Sequence, residues 1–251
     1  MNPFRSGIYF FIGIALAFSA VYYFSFGRYV SPKKLIPAAV KITNTEGNRG
    51  GSGFHVKAPS GKIYILTNRH ICRLADGNDV LKVERSTESG EHFEVPAKEY
   101  YRKVVKRYPF HDLCLVESIQ EESYIDVSED LFTQTTLSLI GHPGLRPVSI
   151  TQGEYIGTTK IRLTTKIVDD PSKCKRTSDK IMLLNYIIGY RCFKTYIANR
   201  INMIGYPGNS GSMVVNSYGE LVGVLFAGNR RAITDLYMVP LEDIKDFLKD
   251  Y

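Results

Sequence analysis

"GYPGNSGSMVVN", residues Gly205 to Asn216, sets one serine between two glycines ahead of an apolar run. Glycine supplies backbone angles closed to other residues and serine satisfies nearby amides, so a plain turn is one reading of Ser210. A nucleophile held on a tight turn is the other. A serine hydroxyl reacts poorly alone. It needs a base to take its proton, a carboxylate to orient that base, and donors for the developing oxyanion. The choice therefore depends on whether the chain supplies a histidine and a carboxylate in matching settings.

It supplies one of each. "YILTNRHIC" (Tyr64–Cys72) ends an apolar, strand-like run and places His70 just beyond it, where an imidazole can lean over a cleft. "HDLCLVE" (His111–Glu117) opens a second apolar run with Asp112. A carboxylate at a buried strand lip needs a partner such as an imidazole N–H. Adjacent strand side chains face opposite sides, so His111 is not expected to pair with Asp112. His55, His92 and His142 have no comparable carboxylate context and read as structural or surface residues.

The whole chain has 251 residues and a net charge of +7, a length that suits one large β domain or two small ones. Its lysines and arginines are scattered, apart from small groups in "YYRKVVKRY" (Tyr100–Tyr108) and "KCKR" (Lys173–Arg176). No nucleic-acid motif accompanies them, so they read as solvated faces and specific nucleic-acid binding is not expected. The four cysteines form no CxxC pattern, and no metal site is expected. Cys114 lies in an apolar run and reads as a buried thiol. Cys174 and Cys192 flank one segment and could pair in an oxidising compartment.

Residues Ile8 to Phe26 are 19 in a row without a charge, enough to cross a bilayer as a helix, with Tyr22, Tyr23 and Phe24 near one end. We read them as an uncleaved single-pass membrane anchor; a cleaved signal peptide is the alternative. Arg28, Lys33 and Lys34 after the segment favour a cytoplasmic domain, whereas a signal-anchor reading favours the opposite side. Gly27–Pro37 reads as a linker. Beyond it come short β runs divided by Gly, Pro, Asn and Ser: "AAVKIT", "GSGFHV", "KIYILT", "LCLVES", "TLSLIG", "GEYIGTT", "GSMVVN" and "ELVGVLFA". That pattern predicts an all-β sandwich or barrel fold. The tail "PLEDIKDFLKDY" differs: Pro240 suits a first helical position, Glu242 and Asp243 suit the first turn, and Leu241, Ile244 and Leu248 recur at helical spacing.

The order His70, Asp112, Ser210, with separations of 42 and 98 residues, carries a family resemblance. "TNRHI", "HDLCLV" and "PGNSGSMVV" resemble the histidine, aspartate and serine motifs of trypsin/chymotrypsin-fold serine proteases. "GSGFHV" and "GELVGVLFAG" resemble two further strands of that family. The chain is most similar to Deg/Htr-type protease domains, whose "GNPFG"-like turn is echoed in "LIGHPGLRPVSITQGEYIG". The resemblance runs from about Ile36 to Leu248. It departs at Ser212-Met213, in the basic segment Lys160–Asn202, in the lack of a PDZ-like region after the helix, and at Asn209. Trypsin-like zymogens carry Asp at that last position, so activation by an ion pair to a new amino terminus is not expected.

The resemblance implies two packed antiparallel six-stranded β-barrels, about residues 36–118 and 134–239, then a helix over about 240–250. Residues 1–35 form the anchor and linker and 36–251 the protease domain. It implies that Ser210 is the nucleophile, His70 the general base and Asp112 its orienter. The amides of Gly208 and Ser210 would form the oxyanion hole. Ile204 would line the base of the specificity pocket, with Phe226, Ala227 and Gly228 forming its wall and pairing with substrate backbone. No acid stands at Ile204, so an apolar or small residue on the acyl side of the cut is expected rather than Lys or Arg. Polypeptides are the expected substrates and no cofactor is implied. Two alternatives stay open: a catalytically silent binding module on the same fold, and a self-processing viral or phage protease. The segment Lys160–Asn202 is expected to form an excursion near the cleft that brings Cys174 and Cys192 together.

Overall fold

The computed structural model describes residues 29–86, 99–108, 111–119, 123–131, 136–174, 177–183, 186–229 and 232–251. The predicted membrane segment 8–26 and His92 lie outside them. Among the described residues no helix is long and apolar enough to cross a membrane.

Six antiparallel strands close the first barrel: β1 (Ala39–Thr43), β2 (Gly50–Lys57), β3 (Ile63–Thr67), β4 (Val80–Arg85), β5 (Glu99–Arg107) and β6 (Cys114–Glu117). Their order around the barrel is β1-β2-β3-β6-β5-β4, and closure comes from β1 pairing with β4 as well as β2. A four-residue helix, α1 (Arg69–Cys72), follows β3. The second sheet holds seven strands where six were expected: β7 (Thr136–Gly141), β8 (Ser149–Val168), β9 (Thr177–Leu183), β10 (Tyr186–Asn202), β11 (Met213–Val215), β12 (Leu221–Asn229) and β13 (Ala232–Val239). Six of them form a ring, because β13 pairs back onto β10. β9 lies outside that ring, paired with the far half of β10.

The extra strand arises because β8 and β10 run on past the barrel. Their pairing continues from Asn202 opposite Glu154 out to Tyr190 opposite Val168. The basic segment is therefore not a loop but a three-stranded extension. Cys174 and Cys192 form a disulfide across it, with Cα atoms 5.3 Å apart. Residues 149–202 contain ten Lys and Arg against four Asp and Glu.

Strand alternation builds three cores at once. Cys114 and Val116 of β6 face the interior of the first barrel with Val40, Ile42, Ile65, Leu81 and Val83. Their neighbours Leu113 and Leu115 face the other way, onto Phe54, Ile140, Met213, Val215 and Val224, in the cluster that joins the barrels. Val214 turns into the second barrel beside Leu137, Leu139, Ile201 and Met238. The last helix, α2 (Leu241–Leu248), docks Ile244, Phe247 and Leu248 on the joining cluster. Pro240 sits at its N-cap rather than at the first helical position, with Glu242 and Asp243 in the first turn.

A candidate active site between the two barrels

His70 stands on α1, directly after β3. Asp112 stands two residues before β6, the strand that pairs with β3. Thr67 lies opposite Cys114 in that register, so the chain emerging from β3 and the chain entering β6 meet at one barrel end. There Asp112 accepts two hydrogen bonds from residue 70: the backbone N–H on Oδ1 at 3.0 Å and the ring Nδ1 on Oδ2 at 2.5 Å. Asn68 adds its side-chain amide to the Asp112 carbonyl at 3.0 Å. The carboxylate is mostly covered, at 13% side-chain exposure, while the imidazole is 41% exposed. With Nδ1 donating to Asp112, Nε2 is left to accept a proton.

His111 points elsewhere. Its Nδ1 lies 2.9 Å from Asp243 of α2, and its ring stacks on Tyr108. The neighbour's hydroxyl donates to Asp246, which pushes the Tyr108 pKa up to about 12.

Ser210 enters from the second barrel on a turn with two left-handed glycines, Gly208 (φ +96°) and Gly211 (φ +87°). The turn is seated on the first barrel. Ser52 of β2 donates its backbone N–H to the Ser210 carbonyl at 2.8 Å. A methyl group on Gly51 would come within 2.6 Å of the Ser210 oxygen and 2.7 Å of Ile71. One on Gly211 would come within 2.0 Å of the Ser52 carbonyl and 2.4 Å of the Thr67 hydroxyl. The serine turn thus lies against Thr67, and Gly51 fills the gap between the Ser210 carbonyl and Ile71, with no room for a side chain at either glycine.

The amides of this turn divide into spent and unspent. Asn209 N–H donates to Tyr206 O, Gly211 N–H to Leu225 O and Ser212 N–H to Asn209 O. Among the described residues the N–H groups of Gly208 and Ser210 donate to nothing. The Pro207 carbonyl accepts from Gly144 N–H at 2.5 Å, which turns the Gly208 N–H of the same peptide the opposite way. Asn209 is buried and uncharged, and its side-chain oxygen has no hydrogen-bond partner among the described residues. Ser212, one of the departures from the family pattern, is fully buried against Gly141, where any Cβ would collide with its hydroxyl at 1.7 Å.

One reading of the sequence needs correction. Cys114 is buried but not a thiol: it is bridged to Cys72, with Cα atoms 6.5 Å apart. The bridge lies two residues beyond His70 on one side and two beyond Asp112 on the other. Phe226 is 5% exposed, belongs to the core joining the barrels, and packs on the Tyr196 ring at 5.8 Å. Ala227 and Gly228 lie nearer solvent. Ile204 is 42% exposed, and its carbonyl accepts from the Thr151 hydroxyl at 2.9 Å.

The remaining described histidines are interior. His142 sits beneath the serine turn between the Ser86 hydroxyl (2.7 Å from Nε2) and the Arg146 carbonyl (2.9 Å from Nδ1). His55 approaches the Ala38 carbonyl at 3.2 Å. Burial pushes both down to about 4, against the smaller upward effect of those backbone carbonyls. Sequence reasoning passed over Ser52, whose hydroxyl lies under the turn. Its signal was a second serine between glycines, in "GSGFHV". Among the described residues no cluster of three or more His, Cys, Asp or Glu could hold a metal ion.

The family described as "Trypsin-like peptidase domain" matches residues 51–224. Exfoliative toxin A of Staphylococcus aureus is 26% identical over 181 residues, covering 65% of this chain and 52% of the toxin. The chain thus spans about half the length of that curated relative. Among solved structures, the Rv3671c protease of M. tuberculosis in its active form superposes with a TM-score of 0.58 at 17% identity, covering 85% of this chain and 80% of that one. A serine endoprotease from Yersinia pestis gives 0.56 at 17% identity, covering 87% and 65%. The protease domain of MamO from Magnetospirillum magneticum gives 0.54 at 17% identity, covering 85% and 97%. At these identities the structural likenesses speak for the fold.

Proposed function

We propose that this chain, a member of the trypsin-like peptidase family, is a serine endopeptidase whose catalytic triad is Ser210, His70 and Asp112. The observation that carries this is the Asp112 carboxylate gripping both the backbone N–H and Nδ1 of His70, beside a serine turn with two unspent amides. Ser210 Oγ attacks the scissile carbonyl while His70 Nε2 takes its proton. Asp112 holds the imidazole in the productive tautomer and stabilises its charged form. The amides of Gly208 and Ser210 receive the oxyanion, each such donor being worth about 3–4 kcal/mol in comparable sites. The imidazolium then returns its proton to the leaving amine, and water repeats the cycle on the acyl-enzyme.

Substrate backbone would add to β12. That strand pairs with β11 only as far as Val224, so the edge from Phe226 to Gly228 has no strand on that side among the described residues. The exposed apolar side chains of Ile204, Tyr206 and Ile233 near the serine turn support an apolar or small residue on the acyl side of the cut. The segment 8–26 would tether the enzyme to a membrane. The two disulfides favour an oxidising side for the catalytic domain.

Labelling with a fluorophosphonate probe tests the triad. Wild type should label, and Ser210→Ala and His70→Ala should not. Labelling retained in Ser210→Ala would refute the nucleophile. An unlabelled wild type would favour the silent binding module. A library of fluorogenic peptides varied on the acyl side tests the specificity, and a best substrate with Lys or Arg there would refute it.

A further inference from the structure

Ser52 is fully buried, and its hydroxyl makes two bonds that converge on the serine turn. It donates to the Gly208 carbonyl at 2.9 Å and accepts from the His142 backbone N–H at 2.8 Å. The first bond fixes the peptide that follows Gly208. The second ties down the start of segment 142–145, whose Gly144 N–H in turn holds the Pro207 carbonyl at 2.5 Å. The peptides on both sides of Gly208 are therefore secured through one hydroxyl. Gly208 is also wedged against that segment: a Cβ on it would lie 2.5 Å from the His142 carbonyl and 2.6 Å from Gly144 N. Its φ of +96° is a conformation that glycine adopts freely, so glycine's own preferences do not hold it there. The Ser52 backbone is fixed independently, since its N–H donates to Ser210 O at 2.8 Å and its carbonyl accepts from the Thr67 hydroxyl at 2.6 Å.

We infer that Ser52 is a positioning residue that holds the Gly208 N–H toward the oxyanion. This rests on the assignment of Ser210 as nucleophile and of the Gly208 amide as a donor to the tetrahedral intermediate. Without the Ser52 hydroxyl, the Gly208 carbonyl loses its anchor and segment 142–145 loses one of its own. The two peptides around Gly208 can then rotate, and the amide leaves the hole for part of the time. Ground-state binding is unaffected, because the oxyanion exists only in the transition state.

The experiment compares wild type, Ser52→Ala and Ser52→Cys on a p-nitrophenyl ester, with rates expressed per active site titrated by fluorophosphonate. Phenylboronic acid serves as a probe that takes the tetrahedral form on the serine. For Ser52→Ala we expect kcat to fall on the order of 10-fold or more, less than the 100- to 1000-fold reported for deleting a direct donor. KM should stay within about twofold, and phenylboronate affinity should fall by the same factor as kcat. Ser52→Cys, which keeps the volume and a weak donor, should lie between the two. A role confined to stability would lower the titrated fraction and the melting temperature but leave kcat per site unchanged, and that result overturns the inference. So does a loss carried by KM alone. Should Ser52→Ala not fold, wild-type kcat and boronate affinity in Ser52→Cys overturn it equally. Ser210→Ala and His70→Ala run alongside: full activity in those variants would bring down the triad itself, whereas their inactivity beside an unaltered Ser52→Ala brings down only the role of Ser52.

Discussion

Replacing Cys72 and Cys114 together by alanine should weaken the fold and the proposed His70–Asp112 catalytic dyad at once. The bridge closes a loop with a sequence separation of 42. Restricting the unfolded chain over that span is worth about 4 kcal/mol on the loop-entropy relation. The second bridge, Cys174–Cys192, has a separation of 18 and by the same relation is worth about 3 kcal/mol. The energies are close but the locations are not. Cys72 ends the helix that carries His70, and Cys114 begins the strand that follows Asp112, so the first bridge clamps the proposed base to its proposed orienter. The second spans the sheet extension. Guanidinium unfolding followed by circular dichroism or tyrosine emission reads the stability, because the chain has 17 tyrosines and no tryptophan. Cys72→Ala/Cys114→Ala should lose about 4 kcal/mol and, well below its melting temperature, about 10-fold in kcat. Cys174→Ala/Cys192→Ala should lose about 3 kcal/mol with kcat within about twofold. Equal kcat losses in the two pairs, or unchanged stability without the first bridge, would refute this reasoning.

Asp112→Asn should leave the fold intact and cut kcat by about four orders of magnitude, since an amide can hold the imidazole in the wrong tautomer; steady-state kinetics with a circular dichroism control checks it. His111→Ala removes only a partly buried pairing with Asp243 and a ring contact, so a chemical melt should show a loss of about 1 kcal/mol or less and kcat should not change. Stability should fall as pH drops from about 6.5 toward 4, because His55 and His142 bind protons more readily unfolded than folded. Each contributes stability that is present above the unfolded pKa and lost as pH passes down through the folded one, up to about 3 kcal/mol apiece; urea melts across that range measure it, and a flat profile would contradict it. Gly51→Ala should cost most of the activity in an ester assay, because its methyl group meets the Ser210 carbonyl at 2.6 Å.

The features legible in the sequence are those in which chemistry and turn geometry sit within a few neighbouring residues. The stretch around Ser210 announces its turn because Gly208 and Gly211 both need left-handed backbone, and α2 announces itself through Leu241, Ile244 and Leu248. The Asp112–His70 pairing was legible from two strand edges; His111 was set apart from it by an alternation argument, although both His111 and Asp112 sit in the bend before β6 rather than in the strand. What escaped depends on contacts between distant segments. Cys72 and Cys114 meet only because β3 pairs with β6, a register that no local pattern encodes. Ser52 reaches Gly208 across 156 residues. Phe226 lies at the register shift where β12 slips against β13 between Leu225 and Ala227, so alternation counted along the strand does not give its facing. β9 was hidden because the apolar residues of its hairpin, among them Met182, Tyr186, Ile187 and Ile188, lie exposed beyond the barrel, so no buried face alternates along the strand to mark it.

The extension formed by β8, β9 and β10 gives the molecule an uneven distribution of charge. Residues 149–202 carry a net +6 of the chain's +7, so the remaining residues are close to neutral. A near-neutral catalytic body with a cationic arm is an electric dipole, and in the field of an anionic surface or a strongly acidic polypeptide it experiences a torque as well as an attraction. Approach is then orientationally selective before any contact is made: the arm arrives first and the cleft follows at a fixed bearing to it. Because screening at physiological salt decays over about 8 Å, that alignment acts only in the last step of approach. It is strongest in dilute buffer and fades as salt is added, while the chemistry proposed at Ser210 stays the same.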